Sequence, residues 1–241
     1  MHLIARAAHI APAVVIDGQK IDGVDSILKA LRPRGGVSAS LSKAKGKVFV
    51  VQGAALEDWV GAGETAIEGG FFTRPGIFSA DGVDPGSRLL AQALPQNLPA
   101  TVADLGAGWG FLARAVLARD GVETLHLVES DHWALDCARR NVQDPRAQFH
   151  WADALDWSPG QPLDTIVMNP PFHQGRTADP ALGQAFIRAA ARLLNRHGTL
   201  WLVANRHLPY EKTLEETFRE VRPVGHDPAF KLYQAQHPRA L

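Results

Sequence analysis

The 241-residue chain has a single cysteine, Cys137, which excludes both an internal disulfide framework and a thiolate zinc cluster. At helical spacing among Leu135 and Ala138, that thiol reads as a small core residue. Long apolar runs are missing as well: none approaches the roughly 20 residues that a membrane-spanning helix needs. Met1 to Ile10 carry His2, Arg6 and His9 and lack the apolar centre and small-residue cleavage site of a signal peptide, so a cytoplasmic protein is expected. Neither sign of charge is in excess. Lys and Arg together number 25, as do Asp and Glu, which argues against a simple polyanion binder. The cations are unevenly spread, however, and Arg32, Arg34, Lys43, Lys45 and Lys47 fall in a stretch with no acidic residue. Such a patch suits a phosphate backbone, and it equally suits a hairpin edge whose lysines prevent strand-to-strand association.

What is present describes an ordinary globular chain, 46% hydrophobic and 21% charged, long enough for one large domain or one domain with a smaller piece. The second half alternates strands and helices. Strands are expected at Thr101 to Leu105, Thr124 to Val128, Gln148 to Trp151, Thr165 to Met168 and Thr199 to Val203. Helices are expected at Phe111 to Arg119, Trp133 to Asn141 and Ala181 to Leu194. This order implies a parallel sheet covered on both faces, with ligands beyond the carboxyl ends of its strands. The end departs from the pattern: a helix over Leu214 to Phe218 precedes Val221 to Val224 and Phe230 to Gln234, which are close enough for an antiparallel pair. The same strand, helix, strand, strand order appears near the start, in Ala13 to Ile16, Ile27 to Leu31, Val37 to Leu41 and Lys47 to Gln52. Any α/β chain can align with itself in this way. Read as a true echo, residues 1–52 are the back half of a second sheet domain whose front half is missing, and an exposed apolar strand edge, or a homodimer that covers it, is expected there.

The most specific chemistry lies in Asn169-Pro170-Pro171-Phe172, directly after the apolar run Thr165 to Met168. Two prolines without N–H groups stop the strand and leave Asn169 at its tip. The Asn169 side-chain oxygen and the Pro170 carbonyl can each accept one hydrogen of an –NH2 group, while Phe172 offers a flat face to an aromatic ring. The plain alternative is a strand stop and nothing more. Upstream, Asp104-Leu105-Gly106-Ala107-Gly108-Trp109-Gly110 places three glycines at a strand-to-helix turn, where a ligand can approach the backbone. Its spacing is not that of a dinucleotide turn, since Phe111 is large, and no Gly-Lys-Ser/Thr follows as in a P-loop. Glu129 ends the next strand, where a carboxylate can accept both hydroxyls of a ribose. Asp153, after the third, can accept from an adenine amine or simply cap a turn. Taken in series these residues form a row of polar groups at successive strand tips. Trp109, Trp133 and Trp151 flank that row, and core packing is the simplest role for each.

Asp104 to Gly110, Glu129, Asp153 and Asn169 to Phe172 resemble motifs I to IV of class I S-adenosylmethionine-dependent methyltransferases. Asn169 to Gly175, Val203 to Tyr210 and Phe230 to Tyr233, with Arg74 to Ser79 and Asp84 to Ser87, resemble more closely the bacterial ribosomal RNA guanine-N2 methyltransferases. The resemblance covers about residue 70 to the end. It implies a Rossmann-like sheet, mostly parallel with an antiparallel C-terminal strand pair, plus a partial, degenerate methyltransferase-like domain at residues 1–52. A connector and the start of the catalytic domain at 53–98 and the catalytic domain at 99–241 would follow. Family members carry two such domains, the first without a cofactor site, and this chain departs from them in lacking the front of the first. The cofactor implied is S-adenosylmethionine, held by Asp104, Gly106, Gly108, Gly110, Glu129, Asp153 and Asn169. Catalysis would fall to Asn169, Pro170 and Phe172, and substrate contacts to Pro171, Phe172, His173 and Arg206. Arg74 and Ser79 would border the cofactor or close over it as part of a loop. The partner implied is ribosomal RNA or a ribosomal subunit, with no membrane and no metal. Two alternatives stay open: a methyltransferase acting on adenine N6 or a glutamine amide, since both use an Asn-Pro-Pro-aromatic turn, and a non-catalytic RNA-binding relic of the fold.

Overall fold

The computed structural model describes residues 1–60, 63–171, 173–174, 177–178, 180–225 and 227–239, in two compact units, Met1–Gly63 and Glu64–Leu241. The first contains α1 (His2–Ile10), β1 (Val14–Gln19), α2 (Val24–Leu31), β2 (Leu41–Lys43) and β3 (Gly46–Val51). Its antiparallel sheet has the order β1-β3-β2. Ala44 and Lys45, both at positive φ, make the two-residue turn of the β2–β3 hairpin, the conformation that matches the twist of the strands it joins. Ala5, Val24, Leu28, Leu31, Phe49 and Val51 form the core together with Leu56 and Trp59. Those last two carry the unit past Gln52, where its end was expected. Residues 37–41, expected as a strand, pair irregularly: the Ser38 hydroxyl, not a carbonyl, accepts the Val50 N–H, and the regular strand starts only at Leu41. A side chain has replaced a backbone partner in the ladder. The other face of the sheet leaves Val15 67% and Leu41 75% exposed.

In the second unit a two-stranded ribbon, β4 (Thr65–Ile67) and β5 (Phe71–Thr73), and α3 (Pro85–Ala93) precede the main sheet. Its strands are β6 (Thr101–Leu105), β7 (Thr124–Glu129), β8 (Ala147–Trp151), β9 (Leu163–Met168), β12 (Leu194–Asn205), β13 (Phe218–Pro223) and β14 (Phe230–Pro238). A separate short pair, β10 (His173–Gln174) and β11 (Thr177–Ala178), follows β9. The helices are α4 (Phe111–Leu117), α5 (His132–Asn141), α6 (Pro180–Leu193) and α7 (Glu211–Thr217). Sheet order is β13-β14-β12-β9-β6-β7-β8, parallel from β12 to β8 and antiparallel where β14 joins β12 and β13. This is the class I methyltransferase arrangement expected from the sequence. The echo is also real: in both units a strand, a helix and two strands build an antiparallel edge in which the last strand lies between the other two.

Period-two alternation sends successive residues of the buried strands to two separate cores. Ala103, Leu105, Ile166, Met168, Leu200 and Leu202 pack against α6 and α7. Val102, Leu125, Leu127, Val167, Trp201 and Val203 pack against α3, α4 and α5. Cys137 is buried, as expected, in a smaller cluster with Phe71, Ile77, Trp109 and Ala134. This cluster ties the ribbon to α5. Asn141 reinforces it, accepting from the Phe72 N–H at 2.7 Å and donating to the carbonyls of Phe72 and Trp109 at 2.8 Å each. No helix among the described residues is long and apolar enough to cross a membrane.

Candidate active site

The order in which strands are added reverses at β6, which β7 flanks on one side and β9 on the other, and a crevice opens there beyond the carboxyl ends of these parallel strands. A cleft of about 370 Å³ occupies it. Of the residues expected in a binding site, Gly106, Gly108, Glu129, Asp153, Asn169, Pro170 and Pro171 line it. The last residues of β7 and the turns after β6, β8 and β9 thus converge on one space, as the series of strand tips implied.

The glycine turn forms because all three glycines have positive φ, between 54° and 91°, a region that costs other residues about 1–2 kcal/mol. They do different work. A Cβ added at Gly108 would meet nothing within 4 Å, whereas one at Gly110 would lie 2.9 Å from Val142 Cγ2. Gly108 keeps the cleft open. Gly110 lets α4 start against Val142, and it does not line the cleft.

Glu129 accepts from the Gly108 N–H and from the Asp131 N–H, each at 2.8 Å. A carboxylate has about four lone-pair sites, so the bonds that fix Glu129 leave acceptor capacity facing the cleft. Burial raises its pKa, and the N–H groups of Asp131 and Gly108 pull it back. Asp153 uses Oδ1 to accept from the Leu155 N–H at 2.8 Å; it therefore caps the turn after β8 and lines the cleft as well.

Asp104 does not line the cleft. It is fully buried on the α4 side of β6, and neither carboxylate oxygen has a well-formed hydrogen bond among the described residues. Burial pushes its pKa up to about 8, repulsion from Glu129 adds to this, and the Ala113 N–H opposes it weakly. The pleat of β6 turns its carboxylate toward the helix layer, beneath the glycine turn.

Asn169 projects from the tip of β9. Its Nδ2 donates to Asp84 Oδ2 and to Ser87 Oγ, both at 2.9 Å. Phe172 and the side chain of His173 lie outside the described residues; the His173 backbone belongs to β10. Arg206, expected to contact substrate, is held by backbone carbonyls. Its guanidinium donates to the carbonyls of Asp227, Pro228 and Phe230 and so fastens the β13–β14 connection. Lys231 Nζ and Tyr233 Oη both donate to Glu211 Oε1, at 2.5 and 2.8 Å. The tail motif therefore anchors α7.

Arg74 lies 4.2 Å over the Trp133 ring and pairs with Glu64, away from the lining. Ser79, at φ 52°, borders a smaller recess shared with Asp84, Ser87, Trp109 and Asn169. Trp109 is buried in the cluster of the ribbon and α5 and donates from Nε1 to the Phe78 carbonyl at 3.0 Å. Trp151 is exposed, with Nε1 on the Ser130 carbonyl. None of the three tryptophans lines the cleft; Trp109 takes the expected packing role, whereas Trp151, 65% exposed, is not a core residue and that expectation is corrected. The apolar lining was not anticipated: Phe78, Val128, Ala152, Ala154, Leu182 and Phe186 complete it. Phe78 is 55% exposed at the rim, an aromatic left in water beside a cleft.

The methyltransferase small domain family matches residues 68–234. Ribosomal RNA small subunit methyltransferase C of Hahella chejuensis is 36% identical over 167 residues, which are 68% of this chain and 48% of that protein. Ribosomal RNA large subunit methyltransferase G of Aeromonas salmonicida is 33% identical over 165 residues, 66% of this chain and 44% of that protein. The chain spans about half the length of these curated relatives. Among solved structures, a T. thermophilus 16S rRNA N2 methyltransferase in complex with AdoMet and guanosine superposes with a TM-score of 0.75 at 28% identity. The match covers 93% of this chain and 64% of that one.

Proposed function

The chain belongs to the methyltransferase small domain family, and from that premise we propose that it transfers a methyl group from S-adenosylmethionine to the exocyclic N2 amine of a guanine in ribosomal RNA. The observation that carries the reading is the Asn169 amide beside Pro170, at the edge of a cleft whose other polar groups are Glu129 and Asp153. The cleft suits the cofactor on its own terms. Gly108 leaves open space for it, the spare lone pairs of Glu129 suit two ribose hydroxyls, and the free oxygen of Asp153 suits an adenine amine. Phe186, Leu182, Ala152 and Ala154 supply the apolar walls that an adenine ring needs.

S-adenosylmethionine supplies a methyl group that is already strongly electrophilic. The guanine amine is a poor nucleophile, because its lone pair is delocalised into the ring, so the task left to the protein is orientation. Asn169 Oδ1 and the Pro170 carbonyl accept the two amine hydrogens, favour a pyramidal nitrogen, and stabilise the positive charge that grows on it. No strong base is required, because the methylated, cationic amine is acidic enough to give its proton to water. Phe172 stacks on the guanine, which must leave its helix or loop to enter the cleft. The relatives named for ribosomal RNA support that substrate class, and the structure solved with guanosine supports the base. We place the protein in the cytoplasm with its substrate. The layout that fits is catalysis in residues 64–241, with residues 1–63 a partial second methyltransferase-like unit whose uncovered sheet face serves RNA delivery or a homodimer.

The test is transfer of labelled methyl to rRNA from cells lacking this protein, followed by nucleoside analysis. N2-methylguanosine is expected, and Asn169→Ala should lower turnover about a hundredfold, as for loss of a transition-state hydrogen bond. Label in N6-methyladenosine would refute the guanine reading. Unchanged turnover in the variant would refute the role of Asn169, and failure to bind S-adenosylmethionine would leave only an RNA-binding relic.

A further inference from the structure

The side-chain amide of Asn169 has two ends of nearly equal size and opposite chemistry, and only the oxygen can serve an incoming amine. Something must decide which end faces the cleft. Asp84 does so, because an ionised carboxylate only accepts hydrogen bonds: the Asn169 nitrogen must turn toward Asp84 Oδ2, at 2.9 Å. The second Nδ2 hydrogen goes to Ser87 Oγ, also at 2.9 Å. Both hydrogens of the amide are thereby used, and among the described residues no donor meets Oδ1. Asp84 and Ser87 are themselves fixed. Asp84 is the N-cap of α3, and the same Oδ2 accepts from the Ser87 N–H at 2.7 Å. The first turn of α3 is pressed against β14, where a Cβ on Gly86 would come within 2.8 Å of Phe230 Cε1. Ser87 is buried.

We infer that Asp84 and Ser87 are positioning residues, holding the Asn169 amide with its nitrogen inward so that Oδ1 is presented to the substrate amine. The inference rests on the proposed reaction for its purpose and on the hydrogen bonds for its geometry. It adds an electrostatic consequence: a carboxylate on the nitrogen side polarises the amide and makes Oδ1 a stronger acceptor as the attacking amine becomes cationic.

Ser87→Ala is the most discriminating variant, since it removes one acceptor yet leaves the Ser87 N–H on Asp84 and the α3 cap intact. Turnover on rRNA should fall about tenfold while the dissociation constant for S-adenosylmethionine stays within about twofold. In an Asn169→Ala background, followed in single turnovers, the same change should cost nothing further, because no amide remains to be oriented. Asp84→Asn, which keeps an acceptor and a cap, should retain more turnover than Asp84→Ala. The Asn169 side-chain NH2, observed by nuclear magnetic resonance, should lose protection from exchange in Ser87→Ala. Parental turnover in Ser87→Ala, or an undiminished loss in the Asn169→Ala background, overturns the inference. A parent chain that transfers no methyl group while its Asn169 NH2 stays protected overturns the reaction and leaves the orientation in place.

Discussion

Asp104 makes the stability of the second unit depend on pH in a direction unusual for an aspartate. Its pKa in the folded chain is about 8 against an ordinary 3.8. The folded state thus keeps a proton that the unfolded chain gives up, and the stability this provides is fully present below about pH 4 and is lost as pH rises toward 8. From pH 5 to pH 8, each pH unit costs about 1.4 kcal/mol, or about 4 kcal/mol in all. Asp104→Asn is nearly isosteric and never ionises. Its buried amide carries a pH-independent cost of about 1–3 kcal/mol for lacking partners, so the informative quantity is the change in the difference between the two proteins. Urea denaturation, followed by the fluorescence of Trp109, Trp133, Trp151, Trp157 and Trp201 in the second unit, measures it. The variant should gain on the parent by about 4 kcal/mol between pH 5 and pH 8. Glu129 is shifted in the same direction but is present in both proteins, so it largely cancels. Parallel stability curves would refute the reasoning and show that Asp104 ionises without penalty where it lies.

The glycine turn and the paired histidines give two further expectations. Gly110→Ala should destabilise the second unit by about 2–4 kcal/mol in urea, combining a strained φ with the Val142 contact, whereas Gly108→Ala should cost about 1 kcal/mol and mainly weaken S-adenosylmethionine binding; equal effects of the two on stability would contradict the division of labour drawn above. His126 Nδ1 lies 3.0 Å from His150 Nε2 beside Trp157, and burial lowers both pKa values, with His150 lowering that of His126 further. Stability from this pair is therefore present above the unfolded histidine value of about 6.5 and is lost as pH falls below it. His150→Gln should flatten the loss of melting temperature between pH 7 and pH 5, and an unaltered acid limb would show that the pair titrates freely.

The strand tips were legible because each was announced by local chemistry: an apolar run closed by glycine, by a carboxylate, or by Asn169 and two prolines. What the tips do to one another was not. Asn169 depends on Asp84, 85 residues away, and no local pattern encodes a pairing at that distance. The start of α3 did carry a signal, since Asp84-Pro85 is an N-cap followed by a proline at the first helical position, and reading it as a cap would have located the helix. The surroundings of Gly110, Asp104 and Arg206 were not legible, for a common reason. Spacing along the chain assigns a residue to the glycine turn, strand or tail, but the face on which it lies follows from the packing of α4 against Val142, the pleat of β6, and the carbonyls at 227–230.

Asn141 bonds in one place to two parts of the chain, the β5 strand of the ribbon and the carbonyl of Trp109 inside the glycine turn. Trp109 in turn donates to the Phe78 carbonyl, so the Phe78 wall and the glycine floor share one hydrogen-bonded link, and a ligand that stiffens one is expected to stiffen the other. Exchange of one backbone proton, the Phe72 N–H held by Asn141, is then expected to slow when the cleft it does not touch is occupied.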